Sequence, residues 1–214
     1  MLAYLFMIID HFGQSFFPEE IIFRVFGLFA FPLFALRICD GYKYTSNFWN
    51  YIKRILIIGL ISQPFQMLLY NWGALNVCFT LIFGLLLIRF IENYKSNKIL
   101  VILITAYILL ITLIYPFFLF GTWGLITILC FYYFKENLLK FITMYVSLTF
   151  IIKILNLILY NYWENKTLLI IFLPLILKVN HIRWNFNLFG YKYWHYVIFP
   201  GHFILIALFK YIIM

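Results

Sequence analysis

From Ile99 to Phe134 the chain carries no charged side chain. A stretch of that length exceeds the ~20 residues a helix needs to cross the hydrocarbon core of a bilayer. It suits two crossings, with a turn near Pro116 and Gly121. The rest of the chain repeats the pattern in shorter pieces. Of 214 residues, 66% are apolar and 11% charged. A soluble domain is about 45–50% apolar and about 25% charged, and a chain this short has too little interior to hide two-thirds of its residues from water. The composition excludes a soluble globular enzyme, a disordered chain and a nucleic-acid-binding domain. It predicts an all-α, polytopic transmembrane helix bundle. A single integral-membrane domain over residues 1–214 is expected, because the spans use up nearly the whole length.

Apolar runs between polar clusters place the spans. The first runs from about Met1 to Phe17 and the second from about Ile21 to Cys39. A polar loop, DGYKYTSNFWNYIKR, is expected from Asp40 to Arg54. The third span then runs to about Tyr70 and the fourth from Asn76 to about Glu92. After the two crossings within Ile99–Phe134 come a seventh from Leu138 to Tyr160, a short eighth from Thr167 to Leu177, and a last from Tyr193 to Ile213. At about 1.5 Å per residue the eighth cannot cross a ~30 Å core unaided, so about 8–9 spans are expected. The first run lacks a preceding basic region and an A-x-A site, and reads as a retained span rather than a cleaved signal peptide. Cys39, Cys78 and Cys130 stand alone inside apolar runs. Their spacing argues against disulfides and against a metal site.

The net charge of +9 has a topological meaning in such a chain. Basic residues of membrane proteins collect in loops on the cytoplasmic side. If the N-terminus is given one side, that side gathers Lys43, Lys53, Arg54, Arg89, Lys95, Lys98, Lys135, Lys140, Lys178, Arg183 and Lys192. The other side gathers little beyond Arg24, Lys166, Lys210 and the acids Glu19, Glu20 and Glu164. The asymmetry predicts a cytoplasmic N-terminus.

Charged groups inside the hydrocarbon layer cost about 2.5–3.5 kcal/mol each on insertion scales, so each needs a reason. Asp10 and His11 lie near the middle of the first run. Neighbouring helix residues point about 100° apart, so each is expected to pair with a group on another span. An acid/base or substrate-binding pair and an interhelical clamp both fit. His202 follows Pro200 and Gly201, which are expected to make a local break and to let another chain approach. It suits either a buried site or a cap on freed carbonyls. Arg37 and Asp40 have the spacing of an i, i+3 ion pair at the end of the second span, or of an anion contact at the cytoplasmic mouth. Lys153, inside the seventh span, could snorkel or answer Asp10. Asn76 and Thr80 lie one helical turn apart, and Ser62 and Gln63 before Pro64 mark a polar kink.

Several blocks, in this order and spacing, resemble one family: IIDHFG at Ile8–Gly13, RVFGLFAFPLFALRICDGYKYTSN at Arg24–Asn47, KRILIIGLISQPF at Lys53–Phe65, LNVCFTLIFGLL at Leu75–Leu86, and VIFPGHFIL at Val197–Leu205. They look like the TraX family, whose named member acetylates the N-terminus of conjugative F pilin. From about Glu92 to Tyr193 the likeness is in hydropathy alone. The chain departs from the family pattern at Leu28, where a basic residue is usual, at Asp40, where Glu is usual, and at Gln63, where an acid is common. Asp10, His11, Arg24 and His202 match.

The resemblance implies an integral-membrane N-acetyltransferase of the bacterial cytoplasmic membrane. The acyl donor would be acetyl-CoA, and the acceptor an amine such as the N-terminus of a small peptide or pilin-like protein. A histidine, with an ordinary pKa of about 6.5, suits the proton transfer such an attack needs. His11 is the expected base, Asp10 its orienting or charge-balancing carboxylate, and His202 a second acid/base or a thioester-polarising group. Arg37, Lys43, Lys53 and Arg54 are the expected cationic partners of CoA phosphates. Arg24, Asp40, Asn76 and Thr80 are candidates for substrate contacts. Two other classes are weighed. Polar residues beside Pro64 and Pro200 would also suit a transporter or peptide-immunity protein with an intramembrane pathway, although no inverted repeat is evident. His11 and His202 would also suit a b-type haem site.

Overall fold

The computed structural model describes residues 2–70, 73–115, 119–160 and 194–213. Among these, regular structure is helical throughout. The helices are α1 (Leu2–Phe16), α2 (Ile21–Tyr44), α3 (Phe48–Tyr70), α4 (Val77–Asn93), α5 (Lys98–Ile114), α6 (Gly121–Phe134), α7 (Leu138–Tyr160) and α8 (Trp194–Ile213). The expected short segment Thr167–Leu177 lies outside the described residues. Among the described residues, three helices are long and apolar enough to cross a membrane: Ile21–Tyr44, Phe48–Tyr70 and the Leu138–Ile158 part of α7. The shorter α5 turns Ile99, Leu103, Tyr107 and Leu110 outward, each more than half exposed. A stripe of large apolar side chains on the outside is compatible with lipid as its surroundings.

Asparagine side chains start four of the helices. Asn47, Asn76, Asn97 and Asn137 each accept a hydrogen bond from a backbone N–H two or three residues on, at 2.9–3.1 Å, at the heads of α3, α4, α5 and α7. Such caps satisfy N–H groups that have no partner within the helix. Gly121 opens α6 with φ +44°, a backbone setting that favours glycine.

The loop expected over Asp40–Arg54 shrinks to Thr45, Ser46 and Asn47. The flanking residues are helical because their aromatic side chains pack inward. Tyr42 meets Phe48 and Tyr132 edge-on, with centroids 5.6 and 5.5 Å apart, and the Arg89 guanidinium lies 4.3 Å over the Phe48 ring. Lys43, Lys53 and Arg54 therefore stand on helix ends rather than in a loop.

α1 and α2 form an antiparallel hairpin, α8 packs on α1 and α3, and α4 and α6 fill the centre with α7 beyond them. One apolar core joins Phe31, Leu36, Leu85, Ile128, Phe131 and Phe141 across α2, α4, α6 and α7. A second joins Met7, Ala30, Cys78, Phe199 and Phe203 between the hairpin, α4 and α8. α4 and α6 approach closely at Gly84, where a Cβ would stand 3.0 Å from Ile128 Cγ2 and 3.2 Å from its Cβ. Gly84→Val should therefore destabilise the folded chain by about 1–3 kcal/mol. A thermal unfolding scan in detergent checks this; an unchanged midpoint would contradict the close packing of α4 on α6.

Candidate functional site

A cavity of about 260 Å³ opens where the hairpin, α3, α6 and α8 converge. Its polar wall is Asp10, His11, Gln14, Arg24 and Gln66; most of the remainder is apolar or aromatic, including Phe31, Trp123 and Phe203.

His11 and His202 meet beside it. His11 Nδ1 lies 2.7 Å from His202 Nε2, with the rings nearly parallel at 8°. His202 Nδ1 is 3.2 Å from the Ile198 carbonyl oxygen. A carbonyl only accepts, so Nδ1 of His202 carries its proton and Nε2 holds a lone pair. Nε2 then accepts from the His11 Nδ1–H. Nε2 of His11 is left as an acceptor, no described group bonds to it, and its residue lines the cavity. A second histidine thus fixes the tautomer of the first, the role a carboxylate or carbonyl more often fills. The bond also limits the pair to one added proton, because two facing N–H groups repel. Around it, Phe203 stacks on His11 at 4.8 Å, and the Tyr70 hydroxyl donates to the His11 carbonyl at 3.1 Å.

The pair is set by an unbroken helix. α8 runs through Pro200 without interruption, and a Cβ on Gly201 would meet nothing within 4 Å. Among the described residues, the expected local break and close approach at Pro200–Gly201 are not found. His202 stays in register with its own i−4 carbonyl, Ile198.

Asp10 does pair with another helix, but it does not orient His11. Its Oδ1 accepts from Arg24 Nη1 at 3.1 Å and its Oδ2 from Gln14 Nε2 at 3.0 Å. Both oxygens are taken, on a bearing about 100° from that of His11. A Cβ at Gly27 would overlap the Asp10 carboxylate, so glycine there makes room for the ion pair. Arg24, and not Lys153, answers Asp10.

Other predicted residues lie apart. Asn76 is a structural residue: its amide accepts from Cys78 N and donates to the Gly59 carbonyl at 2.7 Å, which uses both polar atoms in capping α4 and tying it to α3. The Thr80 hydroxyl is buried, finds no partner among the described residues, and does not line the cavity. Gln63 braces the α3–α4 connection through Ala74 O and Asn76 N. Arg37 stands 4.0 Å from Asp40, whose nearer partner is Lys135, a residue reading the sequence did not pair with it. Lys43 lies over the Tyr132 ring, and Arg54 donates to the Asn50 carbonyl. This basic group is at the far end of α2 and α3. Arg37 lies ten positions along α2 from Gly27, roughly 15 Å at about 1.5 Å per residue.

Gln14 and Gln66 were missed in the sequence. Gln14 had a signal, the i, i+4 spacing from Asp10. Gln66 had only its polarity within an apolar run. The haem reading does not fit. Two imidazoles on opposite sides of a metal hold their ligating nitrogens about 4 Å apart, since each bond is about 2 Å. Here the two nitrogens are hydrogen-bonded to each other at 2.7 Å.

The family model described as TraX protein matches residues 1–210, and the chain belongs to the TraX family. Neither a curated protein nor a solved structure matches it.

The role found for Asn76 makes a prediction. Asn76→Ala should lower stability by about 0.5–2 kcal/mol through the lost cap, with a further loss from the stranded Gly59 carbonyl. The unfolding midpoint in detergent reads this, and a wild-type midpoint would leave the capping role without support.

Proposed function

We propose that this member of the TraX family is an integral-membrane N-acetyltransferase that moves an acetyl group from acetyl-CoA to an amine such as the N-terminus of a small peptide or pilin-like protein. The observation that carries the reading is His11 on the wall of a cavity, its Nδ1 bonded to His202 so that Nε2 keeps its lone pair. An amine attacking a thioester must lose a proton, and His11 is placed to take it. His202 holds the ring and shares the charge through the hydrogen bond. Asp10, paired with Arg24, sets the electrostatics of the cavity wall and is not a second base.

In this reading the shorter helices cross the cell membrane along with the three long ones, making a bundle of about 8–9 spans with the N-terminus in the cytoplasm. The loop charges support that orientation. Arg37, Lys43, Lys53 and Arg54 then lie at the cytoplasmic end, where cations suit the phosphates of CoA. The cavity is below the ~300–1,000 Å³ common for ligand pockets, so it suits the acyl end of the donor and not the nucleotide. The donor would lie along the bundle, from the basic end to the histidines.

Acetyl transfer from labelled acetyl-CoA to candidate amine peptides, followed by mass spectrometry, tests the function. His11→Ala should fold and lose about 10²–10⁴-fold in rate; full activity would sink the assignment. His202→Ala should lose less, because Nε2 of His11 remains. The double change Lys53→Ser with Arg54→Ser should raise KM for acetyl-CoA while leaving kcat nearly unchanged. If KM stays at the wild-type value, the donor's phosphates bind elsewhere.

A further inference from the structure

We propose that Gln66 touches the substrate: its side-chain amide donates to the carbonyl oxygen of the acyl group being transferred. The inference rests on the acetyltransferase reading above and assigns that site a second working residue.

Gln66 is 2% exposed, and its Nε2 is sealed from solvent with no acceptor among the described residues. It lines the same cavity as His11. A buried donor without a partner is unfavourable in the free protein and is rare in folded chains. The helix that carries it shows what a satisfied amide looks like. Three residues earlier, Gln63 commits both polar atoms to the chain around Ala74 and Asn76. On the cavity wall, Gln14 and Arg24 give hydrogen bonds to Asp10. Gln66 remains on that wall as a neutral amide whose nitrogen bonds to none of the described residues.

The chemistry gives such a donor a task. As the amine nitrogen bonds to the thioester carbon, the carbonyl oxygen gains negative charge. The carbon–sulfur bond then breaks, and the sulfur leaves with the electron pair. The amine proton goes to His11 Nε2. The Gln66 N–H neither gains nor loses a proton; it stabilises the charge on oxygen, which is greatest in the transition state. An acceptor at His11 and a donor at Gln66 on one cavity match the two polar demands of this attack.

The test uses the purified full-length chain in detergent with acetyl-CoA and an amine peptide it acetylates. Gln66→Met keeps the volume and removes the donor. Its kcat should fall about 100- to 1,000-fold with KM for acetyl-CoA little changed. Its thermal midpoint should equal or exceed that of wild type, because a sealed, unpaired amide has gone. Should Gln66→Met transfer acetyl at the wild-type rate, the role is overturned and the function stands. A lowered midpoint with activity lost only in proportion to folded protein assigns Gln66 to structure and also overturns it. Where Gln66→Met does not fold, Gln66→Glu, which has the same length but offers an acceptor, decides by the same kcat comparison. Failure of both to fold marks the residue as structural. Absence of transfer by the wild-type chain overturns the function and this role together.

Discussion

The hydrogen bond between His11 and His202 ties the first helix of the chain to the last. It does so inside a packed layer of aromatic rings, where an imidazole without a partner would be unfavourable. The rest of the arrangement follows from satisfying it. The Ile198 carbonyl must remain within reach, so α8 must keep its helical register through Pro200. The carbonyl of His11 is held from the other side by Tyr70, which fixes α1 against α3. Two adjacent residues of α1 thus point to different helices, Asp10 to α2 and His11 to α8, and the cavity is the space between those bearings.

The bundle brings its backbones close by means of small residues rather than by long interdigitating side chains. Gly27 admits a carboxylate and Gly84 admits Ile128. Between helices surrounded by lipid there is little hydrophobic gain from association, so close packing and internal hydrogen bonds carry more of the stability. The asparagine caps belong to the same economy. They satisfy N–H groups at helix heads close to the chain's turns, where a short connection leaves few other partners.

Much of this was legible in the sequence, and for physical reasons. Helix placement follows from apolar run length, so six of the expected spans coincide with helices to within a few residues, while the second runs five residues further than expected and the third starts seven residues earlier. The exception is Asp40–Arg54, whose polar composition suggests a loop although most of it is helical. Its aromatic residues, packed on α4 and α6, decide instead. Asp10, His11 and His202 stood out because ionisable groups in apolar runs are rare. Their partners were not legible. Periodicity gives the face of a helix and not its neighbour, so Arg24 as the partner of Asp10, Lys135 as that of Asp40, and His202 as that of His11 needed three dimensions. Asn76 read as a binding residue because its type is shared by caps and ligand contacts. Gln66 carries no pattern at all; only the burial of its amide nitrogen with no partner among the described residues distinguishes it.

The roughly 15 Å along α2 between Gly27 and Arg37 makes that helix a ruler. Its two ends hold different chemistry, a group of cations at one and the Arg24–Asp10 ion pair at the other. If the chain is the acetyltransferase proposed above, a donor anchored by charge at the basic end would deliver its reactive atom to the histidines only with an arm of that length. Discrimination among acyl donors would then come from reach and not from recognition of the acyl group, whose size is limited separately by the walls of the cavity. Lengthening or shortening α2 by one turn would move the anchor by about 5.4 Å relative to the reacting atoms without altering a single side chain at either end.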